Sequence, residues 1–462
     1  MTSATNLRRV LMLGAASLAL AACSDTDISS PGAAAPAPAP APGPAPAPTP
    51  TAVDLVPADY TPEADNIEVT TITVAGQEVE VAAITGTLTT DVTLRNDVGY
   101  YLANTVFVGN DAGATSSTSG SLSPAANPDG TEAVLTIPAG TTIYGSDDTS
   151  GLVVARGSRI IADGTPQNPI VFTSVEEKLR EDGLISGDEG RAEWLGLVLN
   201  GFAPINNCND DAATPGSADC EADGEANSGL YGGGNADDDS GILDYVRVEN
   251  AGIFFNEEDQ SNGIAFQGVG TGTQVSNIQV HNNGDDGVEF FGGTVSATNV
   301  VITGASDDAV DWTDGWTGSL QRVLVLQPEG EGDYAIEADN RSTTAPDTTP
   351  RSNPTIANFT FIGNGSTNAI RLREGTGATL VNGIVTNFAT GLRFGDEATA
   401  SLLIDGASSV DGVSSTIASH LFNTDDPIVP TIDDQDNDDP ADDVKLVSEA
   451  DILGALQDVS VG

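Results

Sequence analysis

The chain has 462 residues and a formal charge of −52, from 16 basic against 68 acidic residues, so its surface repels nucleic acid and anionic lipid headgroups. Hydrophobic content of 39% suffices for a core, and 52 Gly with 25 Pro favour turns and short strands over long helices. Cations are the natural counterparts of such a surface, although acidic surfaces also serve solubility alone.

Residues 1–22 carry Arg8 and Arg9, then an apolar run from Val10 to Ala22, the layout of a secretory signal and too short for a conventional membrane span. The segment Leu20-Ala21-Ala22-Cys23 resembles the lipobox of bacterial lipoproteins. That resemblance implies lipidation of Cys23 and, with Ser24 following, anchoring to the outer membrane on its periplasmic or cell-surface face. Residues 23–66 then contain a Pro-Ala tract, expected to form an extended spacer at about 3.1 Å per residue.

The folded part is expected to begin near Ile67, with an opening strand layer at 84–108 and a polar loop at 110–130. Strand-turn-strand phrases follow at Leu135, Ser150 and Asn168, and VEEKLRE, within 175–192, is the one clear helix candidate. Residues 201–240 form a long Asp-, Asn- and Gly-rich excursion holding Cys208 and Cys220. With Cys23 committed to lipid, these two remain in an oxidising compartment, and a disulfide is expected.

From Leu243 two strand columns repeat. One begins at Tyr245, Asn277, Asn299, Arg322, Asn358 and Asn382; the other is centred on Ile264, Val288, Val310, Ile336, Ile370 and Leu392, spaced 24, 22, 26, 34 and 22 residues apart. Coils of about 22 residues with variable loops specify an all-β, parallel β-helix solenoid over 67–400. Asn250, Asn282, Gly304, Gln327, Gly363 and Asn387 recur at the end of the first column, where a left-handed corner with laddered amides is expected. Residues 401–462 lose the register and include an acidic run, Asp433 to Asp443, then a short helical pattern suited to capping the open end.

The phrases LTIPAGTTIYG, NNGDDGVEFFGGTV, SDDAVDWTDGW and AIRLREGTG resemble right-handed parallel β-helix lipoproteins of Gram-negative bacteria with pectate-lyase-like architecture. The resemblance covers about 84–400 and speaks to fold more than activity.

In the second column the residue between the apolar positions is expected to face outward, giving Ala265, Glu289, Asp311, Glu337, Arg371 and Arg393 on successive coils. Asp285, Asp286, Asp307 and Asp308 precede these positions, and Asp314 follows. Neighbouring carboxylates about 4.8 Å apart repel by roughly 3.5 kcal/mol at an effective dielectric of 20. Ca²⁺, adjacent arginines or raised carboxyl pKa values relieve that repulsion. The candidate metal ligands are therefore Asp285, Asp286, Asp307, Asp308, Asp311 and Asp314. The bland alternative is that the Asp-Asp-Gly phrases only build tight turns.

Glu289, Asp311, Glu337 and Arg393 are candidate ligand-binding residues, with Trp316 as an exposed stacking platform for a sugar and Trp312 in the core. A carboxylate ladder beside arginines also resembles pectate lyases, which implies Ca²⁺, an acidic saccharide and an arginine base at Arg371 or Arg373. A fainter resemblance to polygalacturonases implies roles for Asp286 and Asp308, but the Gly-His-Gly element of that family has no counterpart here. Three readings follow. One is a non-enzymatic outer-membrane-anchored β-helix that binds a carbohydrate or an outer-membrane protein with Ca²⁺; the second is a polysaccharide lyase or glycoside hydrolase acting on an acidic glycan; the third is a purely structural envelope or appendage protein with neither ligand nor product.

Overall fold

A computed structural model describes residues 53–111, 131–256, 259–432, 452, 454–456 and 460–461. Cys23, the signal segment, the Pro-Ala tract and the acidic run from Asp433 lie outside these residues. Over these described residues the chain winds as a parallel β-helix. One sheet stacks Gly196–Asn200, Ile264–Gln267, Val288–Phe291, Val310–Thr313, Tyr334–Ala338, Asn368–Leu372 and Thr390–Phe394 in parallel. The other stacks Gly241–Glu249, Gln274–His281, Ala297–Thr303, Ser319–Leu326, Thr355–Ile362, Thr379–Thr386 and Thr416–Asn423. The central apolar residues of the second column stand in register as the repeat spacing requires, Ile264 opposite Val288 and Val288 opposite Val310.

Each coil has three strand faces rather than the two columns of the sequence reading. The first half of Gly241–Glu249 pairs with Arg159–Asp163, and its second half with Ile170–Ser174. Between the halves the chain bends at Tyr245, and the following coils bend at Asn277, Asn299, Arg322, Asn358, Asn382 and Ser419, all with φ between 49° and 61°. Asn is the non-glycine residue that best tolerates this left-handed conformation, and its short amide also bonds locally. Here it bonds along the stack: Asn277 donates to Asp244 at 2.7 Å, Asn299 to Asn277 at 2.6 Å and Asn382 to Asn358 at 2.5 Å. The side-chain amide ladder thus runs along this corner, while at the column ends an inter-coil amide bond joins Asn387 to Gly363. There, Asn250, Asn282, Gly304 and Asn387 are left-handed, while Gln327 and Gly363 are not. Asn250 and Asn387 spend their amides on the carbonyls of Gly190 and Gly363.

The core is a column of stacked side chains: Phe266 on Phe290 at 5.0 Å, and Phe290 on Trp316 at 4.0 Å. VEEKLRE is helical as read, Val175–Glu181, because Ser174 caps the Glu177 N–H and Val175 and Leu179 bury against the coils. Strand pairing starts earlier than Ile67, at Val53–Asp54. It also continues past residue 400, because Thr416–Asn423 and Asp426–Ile432 add another rung after the helix Glu397–Ile404. Beyond it, Ile452 is buried in the core and Ser460–Val461 pairs with Leu421–Phe422, which covers the last rung.

Candidate functional site

The site is built on the outward face of the eleven-stranded sheet. Period-two alternation sends Val288 and Phe290 inward and leaves Glu289 outside; one rung on, it does the same for Asp311 between Val310 and Trp312. Glu337, Arg371 and Arg393 continue the column in register. The preceding turns bring Asp285, Asp286, Asp307, Asp308 and Asp333 to the same edge. Carboxylate oxygens lie within 4.8 Å of one another in four overlapping triplets: Asp285–Asp286–Asp307, Asp286–Glu289–Asp311, Asp307–Asp308–Asp333 and Asp308–Asp311–Glu337. All of them except Asp333 line a cleft of about 420 Å³.

Solvent does not cover this face as the outward column implied. The excursion at 201–240 folds back over it, closed by the expected Cys208–Cys220 disulfide. Ile205, Cys220, Ala222 and Tyr231 pack on the outward side chains of Ala265 and Phe291. Arg156 anchors the excursion through Glu221 at 3.0 Å and the Gly232 carbonyl, and also meets buried Asp111. This roof delivers Glu225, which sequence reasoning missed because the excursion carries no periodicity. The Asn262 amide donates to Glu225 at 2.9 Å and to Glu289 at 2.7 Å, tying roof to wall.

Burial raises the carboxyl pKa values, and the neighbouring acids raise most of them further. Asp285 is pushed up to about 7 by burial and by Asp307. Asp286, Glu289, Asp308 and Asp311 are all held well above the carboxylate range, first by burial and then by neighbouring acids. Asp339 rises to about 6 because burial outweighs its arginine. Asp286 also has a structural task, since its Oδ1 accepts the Asp308 backbone N–H at 2.9 Å.

At the far end Arg373 donates to Asp339 at 2.6 and 2.9 Å and meets Glu337 at 2.5 Å, while Arg371 contacts Glu337 at 3.2 Å and lies over the Tyr334 ring. These acids raise the Arg373 pKa, which opposes a role as proton acceptor. Two other expectations are corrected. Trp316 is not an exposed platform: it is fully buried, stacked on Phe290, and its indole N–H donates to the Val295 carbonyl. Asp314 belongs to none of the carboxylate triplets, because its left-handed backbone turns it toward the roof, where Tyr231 and Asn207 donate to it at 2.6 and 3.3 Å. It lines a second cavity of about 310 Å³ that shares Glu225, Thr313 and Asp339 with the cleft.

A family profile described as the pectate-lyase like beta helix domain matches residues 128–443. The chain belongs to this family. The match spans the coils from Val134 onward and every residue of the cleft. No curated protein and no solved structure matches the chain. Among the described residues no helix is long and apolar enough to cross a membrane.

Proposed function

We propose that this pectate-lyase like β-helix is a non-enzymatic binding protein whose acid cleft holds Ca²⁺ and thereby captures a carbohydrate. The observation that carries the reading is the set of four overlapping carboxylate triplets. Asp311 supports it, since its buried Oδ1 has no hydrogen-bond partner among the described residues. An oxygen-only, anionic donor set suits a hard cation that takes six to eight oxygens, and the residues that would hold it are Asp286, Glu289, Asp308, Asp311 and Glu337. Bound calcium would offset the mutual repulsion of the rungs and present open coordination positions to ligand hydroxyls.

The lipobox-like segment ending at Cys23 extends the proposal to an outer-membrane anchor, with an outer-membrane protein as the other candidate ligand. The reading is tested by calorimetric titration of EDTA-treated protein with Ca²⁺, together with melting curves. Heat of binding and a raised Tm are expected, since ligand at a hundredfold excess over Kd stabilises by about 2.7 kcal/mol. No heat and an unchanged Tm would overturn it.

Family membership also admits a lyase or hydrolase acting on an acidic glycan, and Arg371 beside Glu337 favours looking for one. Calcium-dependent release of unsaturated sugar or new reducing ends from acidic glycans, abolished in Arg371→Ala, is the outcome that this second reading requires.

A further inference from the structure

We infer that the second cavity, roofed by the disulfide-bonded excursion, is a pocket for a single neutral, hydroxyl-rich ring, a sugar unit without charge. The inference names the ligand class for the carbohydrate reading above and rests on it, but the pocket is a separate place with separate residues.

The cavity measures about 310 Å³, at the lower end of ligand pockets and therefore suited to one ring rather than a chain. Asn207, Asp223, Tyr231, Asp314, Arg341 and Glu374 line it. Three classes of occupant are separated by that lining. A bare metal ion is disfavoured, because none of these acids joins a carboxylate triplet within 4.8 Å, whereas the adjoining cleft has four. An anionic ligand would face Asp223, Asp314 and Glu374 together with the shared Glu225 and Asp339. An amine would be drawn by the same carboxylates, but the Arg341 guanidinium, within electrostatic reach of Asp314 and Glu374, offsets part of that attraction.

What remains is a group that both donates and accepts at several points. Arg341 offers up to five N–H donors and no acceptor, the carboxylates offer acceptors, and Thr313 and Asn207 offer both. Sugar hydroxyls match such a mixed wall. The wall is also held in place: Tyr231 donates to Asp314 at 2.6 Å while packing on Phe291 at 6.0 Å. A ring seated here lies beside Glu225 and Asp339, at the boundary with the cation cleft, so one of its hydroxyls can face bound calcium.

The test is saturation-transfer NMR on the full chain, with methyl glucoside and methyl galactoside as neutral probes and galacturonic acid and glucosamine as charged comparators. Each is measured with Ca²⁺ and with EDTA. Transfer from at least one neutral probe is expected, weakened about tenfold or more in Arg341→Ala. Asp223→Asn, at the exposed rim, serves as a second variant that does not disturb the Asp314–Tyr231 bond, and it too should weaken transfer.

Near-UV circular dichroism verifies that both variants are folded. Preference for either charged comparator, no transfer from neutral probes, or indifference to both substitutions overturns the pocket. Transfer that survives alongside a silent calcium titration would instead sink the cation reading and leave the pocket standing.

Discussion

The Asp308 carboxylate accepts the backbone N–H of Tyr334, one rung further along the stack, at 2.6 Å. A residue of the acid cleft is therefore also a splint between coils. The two roles separate by substitution. Asp308→Asn keeps an oxygen acceptor for Tyr334 and removes the titrating acid; the calcium-free protein should melt at the same temperature or higher, while calcium binding weakens at least tenfold, about 1.4 kcal/mol. Asp308→Ala strands the Tyr334 N–H and should lower stability by about 1–3 kcal/mol. Paired melting curves and calcium titrations on both variants read the difference. Equal calcium affinity in wild type and Asp308→Asn would leave only the splint.

Stability should carry two opposed pH dependences. His420 is buried beside Phe359 and Phe422, at 5.2 and 5.8 Å, and neither ring nitrogen has a hydrogen-bond partner among the described residues. Burial pushes it from 6.5 down to about 4. Between those values the unfolded chain holds the extra proton, so its contribution is complete above about 6.5 and is lost as pH falls through about 4. His420→Leu should flatten that limb of a Tm-versus-pH curve recorded with saturating calcium. Asp285 and Asp339, raised to about 7 and about 6, act in the other direction. The folded state holds their protons longer, so calcium-free protein should lose stability as pH rises from about 4 to about 7.

Breaking the Cys208–Cys220 bridge should act twice. Closing so short a loop contributes about 3 kcal/mol in the chain-entropy model, which the double Cys→Ser variant should lose in chemical denaturation. The same variant loosens the segment that carries Glu225, so calcium affinity should fall too. A variant that loses stability but keeps wild-type calcium affinity would show that the bridge is not needed for the site to bind calcium.

Replacing Cys23 by Ser should move the protein from the membrane fraction to the soluble one. Continued sedimentation with membranes, resistant to high salt, would refute lipid attachment at that residue.

The repeat was legible because its apolar positions cannot vary without opening the core. Val288, Phe290, Val310 and Trp312 show the inward column directly, and the register agrees. The third face was hidden because a bend at one residue leaves the alternation on either side intact. Asn277 and Asn299 read as ordinary strand starts, and only their left-handed backbones reveal a corner. The acids of the cleft were visible as outward positions, but their burial was not, and the excursion that brings Glu225 beside Glu289 carries no repeat that would announce it. Trp316 was misplaced for a related reason. It follows the Asp314-Gly315 turn, where strand periodicity stops predicting direction, and the turn carries it back under Phe290.

Parallel register makes the cleft modular in length and fixed in width. Glu289 and Asp311 are 22 positions apart in the chain yet direct neighbours in space. Duplication of one whole coil would lengthen the row of carboxylates by one step of about 4.8 Å and leave its chemistry unchanged. A single inserted residue inside a rung would instead turn Asp311 into the core and Trp312 out to the cleft. Natural variation in this molecule should therefore be tolerated in the turns that carry no cleft acid and quantised in the strands, so that the capacity of the site is counted in coils rather than residues.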